Sequence, residues 1–384
     1  MERRRHTAAV LGLLRRHRAV ALLGARQVGK TTLGRAVARQ FRGPSVFFDL
    51  ENPEDQARLV DPSLALRGRR GLVVLDEVQR RPDILPLLRV LIDAPAAPRF
   101  LLMGSASPDL VRGASESLAG RIVFHHLSGF ALDEVGLRAL DRLWLRGGFP
   151  RSYLARSDRE SVEWRQGFIT TFLERDLPQL GVQVPSATLR RFWSMLAHLH
   201  GQVLNSSDLA RSFGVADTTI RRYLDLLAGT YVVRLLPPWH ENLRKRQVKS
   251  PKVYVSDSGL LHTLLGLPDR DALDGHPKVG ASWEGFLLGQ LVERLGARPE
   301  EVFFWGTHAG AELDLLVVRG QKRLGFEMKR TSSPAVTPSM RAALADLGLA
   351  TLDVIHGGQK TFPLAPRIRA VAAHRLLEEI KPLG

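Results

Sequence analysis

The chain of 384 residues contains no cysteine. Disulfides, thiolate zinc sites and cysteine nucleophiles are therefore excluded outright, and the absence fits a reducing compartment. Long apolar runs are missing as well. No stretch approaches the roughly 18 residues needed to cross a bilayer, so no membrane span is expected and a cytoplasmic location is; an ATPase drawn to an anionic membrane surface is the weakest of three readings. Acidic residues are in short supply. Asp and Glu number 39 against 55 Lys and Arg, a formal net charge of +16 with a pI near 10.9. Such a balance favours polyanions, nucleic acid before an anionic membrane surface; the plainer alternative is a generally basic, Arg-rich surface. Hydrophobic residues make up 44% and charged residues 24%. Both are ordinary for folded domains, so no large disordered region is expected. The length exceeds one compact core and implies two or three domains. Arg3, Arg4 and Arg5 ahead of the apolar segment 8–14 resemble the start of a signal peptide. Arg15, Arg16 and Arg18 interrupt it, so residues 1–18 read as an amphipathic helix of the first domain.

Five runs, 19–23, 46–48, 72–75, 100–103 and 122–124, are apolar throughout and alternate with helical segments. That pattern suits strands covered on both faces, hence an α/β domain with a parallel sheet. Residues 136–200 read as helices, and 205–236 as two short helices and a hairpin. Residues 237–251, basic and bracketed by prolines, read as a linker. From 279 onward the order is helix, three strands, helix (339–347), strand (351–355), with a last helix over 370–380. The expected division is an N-terminal domain over 1–135, a helical and winged-helix module over 136–240, and a C-terminal α/β domain over 241–384.

Gly24-Ala25-Arg26-Gln27-Val28-Gly29-Lys30-Thr31 fits G-x-x-x-x-G-K-[ST] in full and stands between an apolar strand and a helix opening at Thr32. The backbone of 24–32 would curl around phosphate oxygens at a helix N-terminus. Lys30 would reach the β- and γ-phosphates, and the Thr31 hydroxyl would ligate Mg²⁺. ATP and Mg²⁺ are therefore the expected cofactors. Asp76 and Glu77, at the end of the run 72–75, supply the second half of such a site. Asp76 would hold the Mg²⁺ through water and Glu77 would polarise the attacking water; two acids at a strand's end would otherwise cap the next helix.

Gly-Ala-Arg-Gln-Val-Gly-Lys-Thr-Thr at 24–32, Leu-Asp-Glu-Val-Gln at 75–79, Met-Gly-Ser-Ala-Ser at 103–107, Leu-Ala-Gly-Arg at 118–121 and Lys-Val-Tyr-Val-Ser-Asp-Ser-Gly-Leu at 252–260 together resemble the AAA+-type ATPases joined to a C-terminal domain of unknown function, DUF4143. The resemblance covers nearly the whole chain. It implies that Ser105 is a sensor beside the γ-phosphate, and that Arg121 is a finger or sensor arginine, in cis or on a neighbouring subunit. Arg26, within the loop itself, and Arg112 are weaker candidates. A homo-oligomer is possible on this reading.

Residues 205–215 and 217–227 read as two helices with Leu209, Val215, Ile220, Leu224 and Leu227 facing inward, a winged-helix pattern. Thr218, Thr219, Arg221, Arg222 and Tyr223 would face outward, toward DNA or a protein. Arg244, Lys245, Arg246, Lys249 and Lys252 would bind phosphates or form a solvated segment. Further on, Glu327 and Lys329 share one strand face, Asp314 lies on the neighbouring strand, and Glu284 lies on the preceding helix. Carboxylates converging on Mg²⁺ near a lysine are what metal-dependent phosphodiester cleavage needs. The element order resembles the PD-(D/E)xK nuclease fold, although Glu-Leu rather than a proline precedes Asp314. The chain thus reads as an ATP-hydrolysing protein acting on duplex or branched DNA, with a C-terminal domain that binds it and whose nuclease activity is left open. The alternative is a nucleotide-controlled switch whose C-terminal domain only binds DNA or a partner.

Overall fold

The computed structural model describes residues 3–95, 97–104, 117–240 and 248–383. The chain forms two compact units, one of residues 1–129 with 229–231, the other of 130–228 with 232–384.

In the first unit each apolar run is a strand: β1 Ala19–Leu23, β2 Ser45–Asp49, β3 Leu72–Asp76, β4 Arg99–Met103 and β5 Ile122–His126. They form one parallel sheet in the order β2-β3-β4-β1-β5. The runs do not alternate because both faces are covered. On one face Val20, Leu22, Val74 and Leu101 meet Val10 and Leu14 of the helix Arg4–Arg16 and Leu33 and Val37 of the helix Lys30–Gln40. On the other, Leu23, Val73, Leu75 and Phe100 meet Leu85, Leu88 and Ile92 of the helix Ile84–Asp93. The N-terminal segment is a helix from Arg4 to Arg16, packed into this unit.

The second unit opens with helices, among them Leu140–Arg146, Asp158–Thr171 and Ser186–His198. A three-stranded sheet follows, β6 Gln202–Val203, β7 Val233–Leu236 and β8 Lys252–Val255, in the order β6-β8-β7. Between β6 and β7 lie the helices Ser206–Phe213 and Asp217–Gly229. Asn205 caps the first of these helices by accepting from the Asp208 N–H, and Gly214 ends it in the left-handed conformation. Two expectations are corrected here. Residues 237–251 are not an interdomain linker: β7 and β8 pair antiparallel, so the segment joins two strands of one sheet. Tyr223 does not face outward but is buried against Phe192. Positions 220, 223, 224 and 227 make one 3–4-spaced helix face, and all four side chains are buried. Arg221 and Arg222 are exposed.

Beyond them come the helix Val279–Leu295, β9 Val302–Gly306, β10 Glu312–Arg319, β11 Lys322–Lys329, the helix Pro338–Asp346 and β12 Leu352–His356. The sheet continues through β13 Phe362–Ala365 and β14 Ile368–Ala372, in the order β13-β14-β12-β11-β10-β9. The expected helix over 370–380 is therefore corrected. Its first residues lie in β14, which pairs parallel with β12, and among them only Leu376–Glu379 is α-helical. The alanines favour helix intrinsically, but burial of Ile368, Ala370 and Ala372 in the sheet outweighs that preference.

The segment 252–260 has a structural task. Asp257 caps the helix Ser258–Leu264 by accepting from Leu260 N–H at 2.9 Å, and its other oxygen accepts from Gly148 N–H at 2.7 Å. Gly259 packs so closely that an added Cβ would stand 2.2 Å from the Arg146 carbonyl oxygen. Gly259→Ala should therefore lower stability by about 1–3 kcal/mol in urea unfolding. An unchanged midpoint would show that this contact is not tight.

Candidate functional site

The phosphate loop leaves β1 at Leu23 and enters the helix Lys30–Gln40. Gly24 is required by close approach, since a Cβ there would lie 2.2 Å from the Leu127 carbonyl oxygen. Gln27 and Gly29 take positive φ, 61° and 98°, which curls the backbone and turns successive N–H groups inward. Ala25 and Val28 are buried beneath the loop, Arg26 is half-buried, and Gln27 and Thr32 are exposed. Arg3 braces the loop from below. Its guanidinium donates to the carbonyls of Val28 at 3.3 Å, Ser128 at 2.6 Å and Gly129 at 2.9 Å.

Lys30 is buried, and its ammonium donates to the carbonyls of Gly24 and Ala25, each at 2.9 Å. Burial pulls its pKa down to about 8, against the opposing pull of Glu77 and Asp76. Asp76 ends β3, is buried, and accepts a hydrogen bond from the Thr31 hydroxyl. Burial raises its pKa more than that bond lowers it. Asp49 stands beside it on β2, in register. Glu77 follows with φ 54°, and Gln79 donates to its carboxylate. The pairing of a hydroxyl with a carboxylate, and a further acid alongside, is a donor set suited to a hard dication. Thr31 and Asp76 fit the expected Mg²⁺ and would hold it. That ion, when bound, neutralises phosphate charge. On the expected chemistry the loop N–H groups would orient the phosphates and Glu77 would take a proton from water. Gln79 and Asp49 are supporting residues that the motif alone did not reveal.

Ser105 and Arg112 lie outside the described residues. Arg121 is placed where it cannot serve its own site. β5 runs parallel to β1 with Ile122 beside Ala19 and His126 beside Leu23. Arg121 therefore stands at the sheet edge opposite the loop, roughly 16 Å away along a five-residue strand. There it forms an ion pair with Asp93 at 2.8 Å.

The second unit gathers the C-terminal candidates, but around a lysine. Lys252, at the start of β8, is 2% exposed. Its ammonium lies 3.3 Å from Glu284 and 3.8 Å from Asp314 and is paired with Glu312. The Tyr254 hydroxyl, two residues along, donates to Glu284 at 2.6 Å. Asp314 accepts from Met328 N–H at 2.9 Å, and its own N–H donates to Glu327 at 3.4 Å. Lys329 pairs with Glu327 at 2.7 Å. A register shift between Leu313 and Leu316 in the β9–β10 pairing brackets Asp314, the kind of bulge that re-aims a side chain. Among the described residues no three His, Cys, Asp or Glu side chains are set to hold one ion. The expected Mg²⁺ shared by Glu284, Asp314 and Glu327 does not fit this arrangement, because the Lys252 ammonium lies by Glu284 and Asp314 and the Lys329 ammonium pairs with Glu327. Lys252 is corrected too: it is buried and ion-paired, not part of a phosphate-binding surface. The run 244–246 lies outside the described residues, and Lys249 is exposed.

Together the parallel sheet, the loop 24–32 and the paired Thr31 and Asp76 define a P-loop nucleotide-binding domain of the AAA type. Sequence comparison agrees. An AAA domain matches residues 16–136, a domain of unknown function, DUF8612, matches 137–271, and DUF4143, also a domain of unknown function, matches 279–376. The chain belongs to the family in which an AAA domain is joined to a C-terminal DUF4143 domain. Uncharacterized proteins of Mycobacterium tuberculosis and Mycobacterium bovis are each 54% identical over 378 residues, covering 98% of this chain and 85% of theirs. Among solved structures a Walker-type ATPase of Pyrococcus abyssi is similar at 16% identity and a TM-score of 0.48, over 69% of this chain and 95% of that one.

Burial and the charge of Asp314 push Glu284 and Glu327 up to about 7 each. An acid whose folded pKa is raised disfavours folding as it ionises. Its penalty is absent below the unfolded value of about 4.5 and grows as pH rises toward 7. His200 and His262, buried and lowered to about 3, act with the opposite sign in the same window. The difference between variants isolates the acid. Glu327→Gln should gain stability relative to wild type as pH rises from about 4.5 to 7. A difference that stays flat across this window would refute the raised pKa.

Proposed function

We propose that the chain binds and hydrolyses ATP at the first unit and uses the nucleotide cycle to control how the second unit holds DNA. The observation that carries the ATP half is the Lys30, Thr31, Asp76 and Glu77 constellation at the ends of β1 and β3. The net charge of +16 and the exposed Arg221 and Arg222 on the helix Asp217–Gly229 support the DNA half. On this reading the helices 206–213 and 217–229 with β7 and β8 act as a winged helix. The order helix, β9, β10, β11, helix, β12 supports a nuclease-like domain. The ion-paired Lys252 favours a domain that binds without cutting. If Arg121 acts on a γ-phosphate at all, it does so on a second copy, after release from Asp93.

Lys30→Ala should abolish ATP turnover, and Glu77→Gln should bind ATP while hydrolysing it about 10²–10⁴-fold more slowly. Turnover is to be followed without nucleic acid and with single-stranded, duplex and branched DNA. Wild-type turnover in Glu77→Gln would remove the assignment of the general base. DNA binding should weaken steeply with salt through counterion release. Replacing Arg221 and Arg222 by Ala should flatten the log–log salt slope by about 1–2. An unchanged affinity would shift that helix to protein contact.

A further inference from the structure

We infer that Lys252 is the resident cation of the carboxylate cluster in the second unit, and that the cluster excludes a divalent metal ion while this lysine is in place. The inference begins with the occupancy of the oxygens. Glu284 Oε1 faces the Lys252 ammonium and the Tyr254 hydroxyl. Asp314 Oδ1 faces Lys252, and Oδ2 accepts from Met328 N–H. Glu327 Oε1 faces Lys329, and Oε2 is 3.4 Å from Asp314 N–H. Glu312 closes the set around Lys252. Lys252 is within ion-pair distance of Glu284, Glu312 and Asp314, and Lys329 of Glu327, so a dication shared by these carboxylates would have to displace an ammonium.

The lysine is also held from behind. β8 is the middle strand of its sheet, and Lys252 is in register with Val203 of β6 and Leu236 of β7. The backbone therefore cannot slide, and the ammonium sits 5.6 Å from the centre of the Phe304 ring, a further favourable contact for a cation. A buried ammonium among carboxylates persists because removing it leaves uncompensated like charges. A dication brought beside it would meet repulsion in a poorly screened site. The lysine gives the sheet what a metal ion would give it, charge neutralisation and crosslinking of the helix Val279–Leu295 to β10. It lacks the open coordination positions that a metal would offer to water or phosphate.

The test is Mn²⁺ binding by electron paramagnetic resonance, on the full chain without nucleotide. All proteins carry Asp76→Asn, which removes the first unit's candidate ligand and keeps the result independent of the ATP reading. With Lys252 present, no Mn²⁺ binding should depend on Asp314. Lys252→Met should gain one Mn²⁺ per chain, at least about tenfold tighter than in its parent, and adding Asp314→Asn should remove it. Asp314-dependent Mn²⁺ binding with Lys252 in place would overturn the inference, and so would a folded Lys252→Met that gains nothing. If Lys252→Met does not fold, the Asp314 comparison in its parent still decides.

Discussion

Charge carried into a folded interior must be matched there, because each unpaired buried ion costs several kcal/mol. The side chains with chemistry in this protein obey that constraint at two places. Lys30, Asp76, Lys252, Asp314 and Glu327 are all buried, and none stands alone. In the first unit the matching partners are loop carbonyls and the Thr31 hydroxyl. These hydrogen-bond partners are neutral, although the charges of Glu77 and Asp76 also act on Lys30. In the second unit the partners are full opposite charges, which give way far less readily.

That difference follows from topology. A parallel sheet aligns the C-terminal ends of β1, β2 and β3, so Gly24, Asp49, Asp76 and Glu77 collect along one edge of the sheet. In the second unit Glu312, at the start of β10, is partly exposed, while Asp314 and Glu327 come from within β10 and β11 and Glu284 from within a long helix. Such positions are enclosed, and burial there raises Glu284 and Glu327 rather than leaving them free to bind. β8 then delivers Lys252 into the enclosure from a different sheet.

Much of this was legible in the sequence, where local pattern and structure coincide. The five apolar runs became the five strands of the first sheet, because strands covered on both faces leave no other reading of such short segments. The loop 24–32 was equally plain, since its glycines and lysine have fixed offsets. The order helix, β9, β10, β11, helix, β12 after Val279 also followed from periodicity, whereas β13 and β14 did not. What the sequence withheld was long-range. Lys252 reads as one of several basic residues until the fold sets it against Glu284, Glu312 and Asp314, 32 to 62 positions away. Arg121 looked like a finger because of its motif, and only the parallel register puts it at the far edge. Residues 370–372 carry alanines that favour helix until pairing with β12 claims them.

On the proposed reading the chain carries two carboxylate sites, one for a nucleotide-bound metal and one filled by its own lysine. Counting Mn²⁺ bound in the presence of a non-hydrolysable ATP analogue tests this most directly. One Mn²⁺ per chain is expected, lost in Asp76→Asn and untouched by Asp314→Asn. Two ions per chain, or one that disappears with Asp314, would contradict it.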